Sequence, residues 1–233
     1  MTRLAIIGMG KMGHAVEQLA PTQGFEVVAR IDHAGGDATE VTAETLNGAE
    51  VAVEFTNADA APGNIRVCAA ARCPVVVGTT GWDANRAEVE KFVRDVGGAL
   101  LAAPNFSLGV VAFTLTVEAA AEAMRTAPGF DVHLIETHHA LKKDAPSGTA
   151  LALARAAAAK LGHEVPITSV RTGAVPGTHE LVFDGQFEQI RLVHTVRDRR
   201  VFAEGALRAA QWLVGRKGIF SLRDLLISTG GAQ

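Results

Sequence analysis

The period of the hydrophobic positions changes partway along this chain. Through residue 102, short strand-like runs recur: the continuously apolar Leu4 to Ile7, then Glu26 to Ile31, Val51 to Phe55, Val75 to Val77 and Ala99 to Ala102. Continuous runs of this length predict strands covered on both faces, as in a parallel sheet. Helix-like segments lie between several of them: Lys11 to Leu19, stopped by Pro21 and Gly24, then Asp59–Ala71 and Asp83–Val96. Alternating strand and helix predicts a parallel sheet with right-handed crossovers. Beyond Leu108 the pattern differs. Leu108 to Met124 reads as one long helix, Val132 to Ile135 as an apolar run, and Thr149 to Leu161 as an alanine- and leucine-rich helix. Ile167–Arg171, His179–Phe183 and Gln189–Val196 alternate, with Gly173, Gly177, Asp184-Gly185 and Asp198 as punctuation. Few helices intervene, so this second sheet is expected to be antiparallel or mixed. Helices return at Glu204–Val214 and Leu222–Ile227.

Composition narrows the classes. The chain has 233 residues, 48% hydrophobic and 20% charged, with a net charge of −3. It is long enough for one large domain or two modest ones. The charge and the lack of a basic run argue against nucleic acid as a partner. No apolar stretch approaches the roughly 18–20 residues that span a bilayer, so no membrane partner is expected. Leu4 to Ile7 is too short for a signal-peptide core, and Cys68 and Cys73 read as reduced thiols; the expected location is cytoplasmic.

Gly8-Met9-Gly10-Lys11-Met12-Gly13 stands between the first strand and the first helix with G-x-G-x-x-G spacing. Gly8 suits the tight turn, Gly10 a close approach of backbone to a pyrophosphate, and Gly13 helix–strand packing. The fold class is therefore α/β: a Rossmann-like parallel-sheet domain plus a smaller α+β domain with a mixed sheet. The expected boundaries are 1–106 with 207–233 for the first domain and 107–206 for the second. Asp32 ends the second strand, where it can bond ribose hydroxyls and would repel a 2′-phosphate; Arg30 and His33 beside it could accommodate one. The cofactor is thus NADH, NADPH or both. Gly78-Thr79-Thr80-Gly81 and Pro104-Asn105-Phe106-Ser107 follow other sheet strands, at the strand ends where ligands bind in such sheets.

The segment from Glu136 to Ala150 concentrates proton donors and anion binders between a strand and a helix. His138 and Lys142 can move a proton, and Lys142 can also hold an anion. Ser147-Gly148-Thr149 opens a helix after Pro146, and its hydroxyls and N–H groups suit a carboxylate. Adjacent histidines with Glu136 nearby raise a zinc alternative. Neither H-E-x-x-H spacing nor a cysteine partner supports it and the flanking lysines oppose a cation, so no metal is expected. Arg208 is a weaker anion-binding candidate, with a plain surface arginine as its alternative. Among rivals, an aspartate-type amino-acid dehydrogenase would also join a nucleotide domain to a small β domain, and a non-catalytic NAD-sensing protein would bind cofactor without turnover.

The run Glu136-Thr137-His138-His139-Ala140-Leu141-Lys142-Lys143-Asp144-Ala145-Pro146-Ser147-Gly148-Thr149-Ala150 carries E-x-H-H-x-x-K-x-D-A-P-S-G-T-A in full. On it the chain resembles the dihydrodipicolinate (4-hydroxy-tetrahydrodipicolinate) reductases of lysine and diaminopimelate biosynthesis. Glu54-Phe55-Thr56, Gly78 to Gly81, Asn105-Phe106-Ser107, Gly177-Thr178-His179-Glu180 and Phe202-Ala203-Glu204-Gly205-Ala206 also resemble family blocks. The resemblance implies NAD(P)H-dependent reduction of a small cyclic imine dicarboxylate. Gly8 to Gly13 would hold pyrophosphate, Asp32 the adenosine ribose, and Gly78, Thr79 and Thr80 the nicotinamide side, with His33 and Phe55 as further cofactor-binding residues. Ala103, Pro104, Asn105 and Phe106 would complete that pocket. His138 would be the acid–base residue and Lys142 the proton donor, with His139, Lys142, Ser147, Gly148 and Thr149 on the substrate. The second domain would bind substrate and build a homotetramer. The chain departs from many members in its glycine motif, one residue shorter, and in Lys11, Asp32-His33 and Pro104.

Overall fold

The computed structural model describes residues 1–229. Two compact units result: Met1–Leu108 together with the stretch from Arg200, and Gly109–Arg199.

The first unit runs β1 (Thr2–Ile7), α1 (Lys11–Leu19), β2 (Phe25–Ile31), β3 (Val51–Glu54), α2 (Ala61–Ala70), β4 (Val75–Val77), α3 (Arg86–Asp95) and β5 (Ala99–Ala102). The second runs from α4 (Leu108–Met124), which starts at the boundary, through β6 (Phe130–His138), α5 (Gly148–Leu161), β7 (Ile167–Arg171), β8 (Thr178–Gly185) and β9 (Gln189–Thr195). Then α6 (Arg200–Leu213), β10 (Gly218–Phe220) and α7 (Leu222–Thr229) return to the first.

The first sheet is parallel throughout, in the order β10-β5-β4-β3-β1-β2. Every residue of β3 and β4 is buried, Glu54 at the end of β3 included, because both faces of the sheet are covered. The chain leaves β1 for β2 on one side and then crosses back to β3 on the other. The carboxyl end of β1 is therefore the switch point of the sheet, where such folds open a crevice. The sixth strand, β10, was not expected: Gly218-Ile219-Phe220 opens on a glycine and offers only two apolar residues, unlike the three valines of β4. It is held by pairing with β5, and Gly218 N–H donates to Gly98 O at 2.9 Å.

The chain re-enters the first unit at Arg200, ahead of the expected 207. A helix with one buried face cannot be divided between two cores. In α6 that face is Ala203, Ala206, Leu207, Ala210 and Leu213, all at 0% exposure. Small residues bring it close to the sheet, and at Gly205 a Cβ would stand 1.7 Å from the Phe106 carbonyl oxygen. Cys68 and Cys73 are free and buried, and burial raises both thiols, Cys73 to about 12. They are inert packing groups.

The second sheet has the order β7-β6-β8-β9, parallel between β6 and β7 and antiparallel elsewhere. It is mixed because α5 is a crossover between parallel neighbours, whereas β8 and β9 are joined as a hairpin. Phe113, Val117 and Ala121 of α4 and Leu153 and Ala157 of α5 pack with Leu134, Leu181 and Phe183 of the sheet. Strand β6 is longer than the apolar run suggested. Its alternation sends Val132, Leu134, Glu136 and His138 to one buried face. Among the described residues, no helix is long and apolar enough to cross a membrane.

Candidate active site

In the first unit, the carboxyl ends of β1, β2 and β3 open into a groove of about 550 Å³. Ile7, Gly8 and Gly10 line one wall, Ile31, Asp32 and His33 another, with Phe55, Thr56 and Asn64 opposite. Gly8 has φ +92°, and a Cβ there would lie 2.2 Å from the Phe55 carbonyl oxygen. Gly13 seats α1 on the turn, for its Cβ would lie 2.0 Å from Gly8 O. Nothing lies within 4 Å of a Cβ at Gly10, so the backbone there is open to a ligand. α1 has no acidic residue in its first turn and no side-chain cap, which leaves its N-terminus suited to an anion. These features fit a dinucleotide: glycine backbone for pyrophosphate, a carboxylate wall for ribose.

Asp32 already accepts two backbone bonds, from Met9 N–H at 2.6 Å and Ala34 N–H at 2.8 Å. The Ala34 bond, then the Met9 bond, hold its carboxyl below the usual range. Arg30 is committed elsewhere: its Nε donates to Glu17 at 2.5 Å, and Asp37 stands 3.5 Å from Nη1. Lys11 and Met12 lie in the first turn of α1. The turn after β4 carries Gly78, Thr79 and Thr80; Thr79 Oγ1 accepts from Thr56 N–H at 2.8 Å, and the Phe55 ring lies on Gly78. After β5, Ala103 N–H continues the ladder to Val77 O, Pro104 follows, Asn105 Oδ1 accepts from Ser107 N–H at 2.7 Å, and Phe106 packs edge-on to Phe55.

Glu54 was not singled out for chemistry. It is fully buried at the end of β3, where Oε1 accepts from Thr56 Oγ1 in a short contact and from Thr56 N–H at 3.2 Å. Burial raises its carboxyl, and bonds from Thr56, Thr79 and Asn64 offset that only in part. A raised carboxyl contributes stability below its unfolded value of 4.5 that is lost as pH climbs through its folded value. Glu54→Gln keeps the acceptor and removes the titration. Its Tm relative to the parent is therefore expected to rise as pH increases above 4.5. A Tm difference independent of pH would show that Glu54 does not titrate in the fold.

The second unit holds a different cluster. His138 ends β6, two residues beyond Glu136 on the same face. Register brings the partners: Ser169 of β7 and His179 of β8 lie opposite Glu136, and Arg171 lies opposite His138. Glu136 is at 0% exposure, and its Oε1 accepts from Arg171 Nη2 at 2.6 Å while Oε2 lies against His138 Nδ1. Burial opposes its charge, but the Arg171 bond, the neighbouring Ser169 hydroxyl and the His138 and Arg171 charges prevail and hold it at about 2. The His138 and His179 rings meet edge to face at 5.2 Å. Burial, aided by the His138 charge, lowers His179 to about 4. Burial lowers His138 as well; Glu136 pulls it up, and Lys142 and Arg171 push it down.

His179 Nε2 reaches Ser147 Oγ at 3.3 Å, and that oxygen caps α5 by accepting from Ala150 N–H at 3.1 Å. Ser147 follows a cis Ala145–Pro146 bond. A Cβ at Gly148 meets nothing within 4 Å, so the approach to the helix end is open. Thr149 is the next residue of α5. Lys142 N–H donates to His139 O at 3.1 Å, and its Nζ reaches the Asp144 carboxylate at 2.7 and 2.9 Å. Glu136, His138 and His179 each offer one ligand atom, all within 4.8 Å. The Arg171 guanidinium on Glu136, with Lys142 nearby, places positive charge where a cation would sit. The trio therefore suits a shared proton better than a metal. Arg208, on α6 of the first unit, pairs with Glu204 at 3.0 Å on the surface.

Sequence reasoning missed Arg171 and His179 as partners of His138. Parity along β6 joins positions 136 and 138, but the register with β7 and β8 has no local signal.

Residues 2–106 match the family model for the dihydrodipicolinate reductase N-terminus, and residues 109–226 that for its C-terminus. A 4-hydroxy-tetrahydrodipicolinate reductase of Thiobacillus denitrificans is 37% identical, covering 96% of this chain and 98% of that protein. One from Christiangramia forsetii is 32% identical, covering 96% and 97%. A solved dipicolinate-bound dihydrodipicolinate reductase from Paenisporosarcina sp. TG-14 shares the fold, with TM-score 0.82 at 24% identity over 95% of this chain and 97% of that one. Two family models that together span both units, and relatives matched nearly end to end, establish that the chain belongs to the dihydrodipicolinate reductase family.

Proposed function

We propose that the chain reduces the cyclic imine dicarboxylate of its family, 4-hydroxy-tetrahydrodipicolinate by way of dihydrodipicolinate, to tetrahydrodipicolinate with NADH as the preferred cofactor. The observation that carries this is the cluster of buried Glu136 and His138 with half-buried Arg171, beside the capped start of α5: proton chemistry next to an anion cradle. A bound nicotinamide supplies the hydride. Gly8 to Gly13 hold the pyrophosphate, Asp32 and His33 the adenosine end, and Phe55, Gly78 to Thr80 and Ala103 to Phe106 the nicotinamide end. One substrate carboxylate takes the Ser147-Gly148-Thr149 helix start and the other His139 and Lys142. Hydride addition leaves an electron-rich enamine carbon, which His138 or Lys142 protonates. The first unit is the cofactor domain, and the second binds substrate and assembles a cytoplasmic homotetramer. Val193, at 55% exposure on β9, and Val170 on β7 lie on the sheet face away from Leu134 and Leu181 and supply apolar surface for that assembly.

The cofactor preference follows from charge. The groove shows the Asp32 and Glu40 carboxylates, while Arg30 is held by Glu17 and Asp37. A 2′-phosphate within reach of a carboxylate loses about 1 kcal/mol or more even in water, so NADH is expected to be favoured about fivefold or more in kcat/KM. Coupled turnover on substrate made fresh from pyruvate and aspartate semialdehyde, run with each cofactor, tests both parts. No turnover with either would refute the reductase reading, and equal kcat/KM would refute the NADH preference alone. Asp32→Ala is expected to raise KM for NADH more than for NADPH, and equal changes would place Asp32 away from the ribose.

A further inference from the structure

Glu136 carries a charge with no solvent exposure, and its two oxygens are used differently. Oε1 takes the Arg171 guanidinium at 2.6 Å, and the same Arg171 nitrogen also donates to the Asp144 carbonyl at 2.6 Å. That second bond ties Glu136 to the loop carrying Lys142. Oε2 lies against Nδ1 of His138. Both atoms are buried and neither makes an aligned hydrogen bond; an ionised carboxylate can only accept, so a proton that satisfies this contact sits on Nδ1. Nε2 is then the nitrogen with the free lone pair. It faces Gly177, where a Cβ would come within 3.1 Å and cover it.

We infer that Glu136 is a positioning residue for the proton step: it fixes His138 as the Nδ1–H tautomer, makes Nε2 the working nitrogen, and is itself fixed by Arg171. The inference rests on the reading of His138 as an acid–base residue given above. The charged and titratable groups facing His138 are Glu136 on its own strand, Arg171 on β7, His179 on β8 and Lys142 in the connection to α5. Glu136 is the anion of this set. Without its charge, an imidazolium would face Arg171 and Lys142 unsupported, so the pH limb belonging to His138 moves to lower pH.

The test uses the full chain labelled with ¹⁵N-histidine, with the His138 signals assigned by their loss in His138→Gln. The wild-type ring must show a protonated Nδ1 and a bare Nε2 at neutral pH; the opposite tautomer overturns the inference without any variant. In Glu136→Gln, the amide can turn its NH₂ to Nδ1 and drive the ring to the Nε2–H form. Turnover is then expected to fall about 10²- to 10⁴-fold, with NADH affinity unchanged. Adding Glu136→Gln to His138→Gln is expected to cost little more. A full second loss in the double variant, or an unmoved tautomer in Glu136→Gln, overturns the positioning role. His138→Gln with normal turnover would instead remove the acid–base reading on which the inference stands.

Discussion

Lys142→Ala is expected to lower turnover about 10²- to 10⁴-fold, the usual loss for a positioned proton-transfer group, while NADH binding to the free protein is unchanged. In the structure Lys142 is held by Asp144, at 2.7 and 2.9 Å. That pair sits near the surface, and Asp144 is 60% exposed. Exposed pairs contribute only about 0–1 kcal/mol, so a substrate carboxylate backed by a helix N-terminus can displace Asp144 readily. The loss therefore belongs to the step after binding and should fall mainly on kcat. Steady-state kinetics with saturating NADH separates the two. A rise in KM with kcat intact would make Lys142 an anion anchor only, and normal kinetics would remove it from the site.

Gly13→Ala is expected to weaken NADH binding about fivefold to 150-fold, the equivalent of the 1–3 kcal/mol that overpacking costs. Ordinarily glycine to alanine inside a helix gains about 0.5–1 kcal/mol. Here the sign reverses. The new Cβ would stand 2.0 Å from Gly8 O, and backbone on both sides cannot turn aside as a side chain would. The start of α1 must lift from β1, which moves its N–H groups away from the pyrophosphate. Fluorescence titration with NADH, beside a urea melt to confirm folding, checks this. Unchanged affinity in a folded variant would mean that the third glycine does not set the cradle.

How much of this was legible in advance differs between the two sites. The glycine spacing sits on consecutive elements, so strand, turn and helix N-terminus could be read together. The N-cap was equally local, and Ser147 indeed caps α5 through Ala150 N–H. Arg30 shows where locality ends. From the sequence it stood ready beside Asp32, yet Glu17 on α1 and Asp37 beyond β2 hold it. Glu136 shows the same at the second site: from the sequence it had no partner of its own, whereas Arg171 on β7 makes it one half of an ion pair.

By itself the sequence determined the strand–helix alternation, the mixed second sheet, the dinucleotide turn and the chemistry-bearing segment. Each of these depends on spacing within one or two elements, through the 2.0 and 3.6 residue periods. Tertiary structure decided what those periods do not encode. It recruited the three-residue β10 to the edge of the sheet, and it returned α6 whole to the first core from Arg200. It also set the register that lays His179 across from Glu136 and Arg171 across from His138. Register follows from which faces of several strands are buried together, and a one-residue slip would send every one of these side chains to the opposite face.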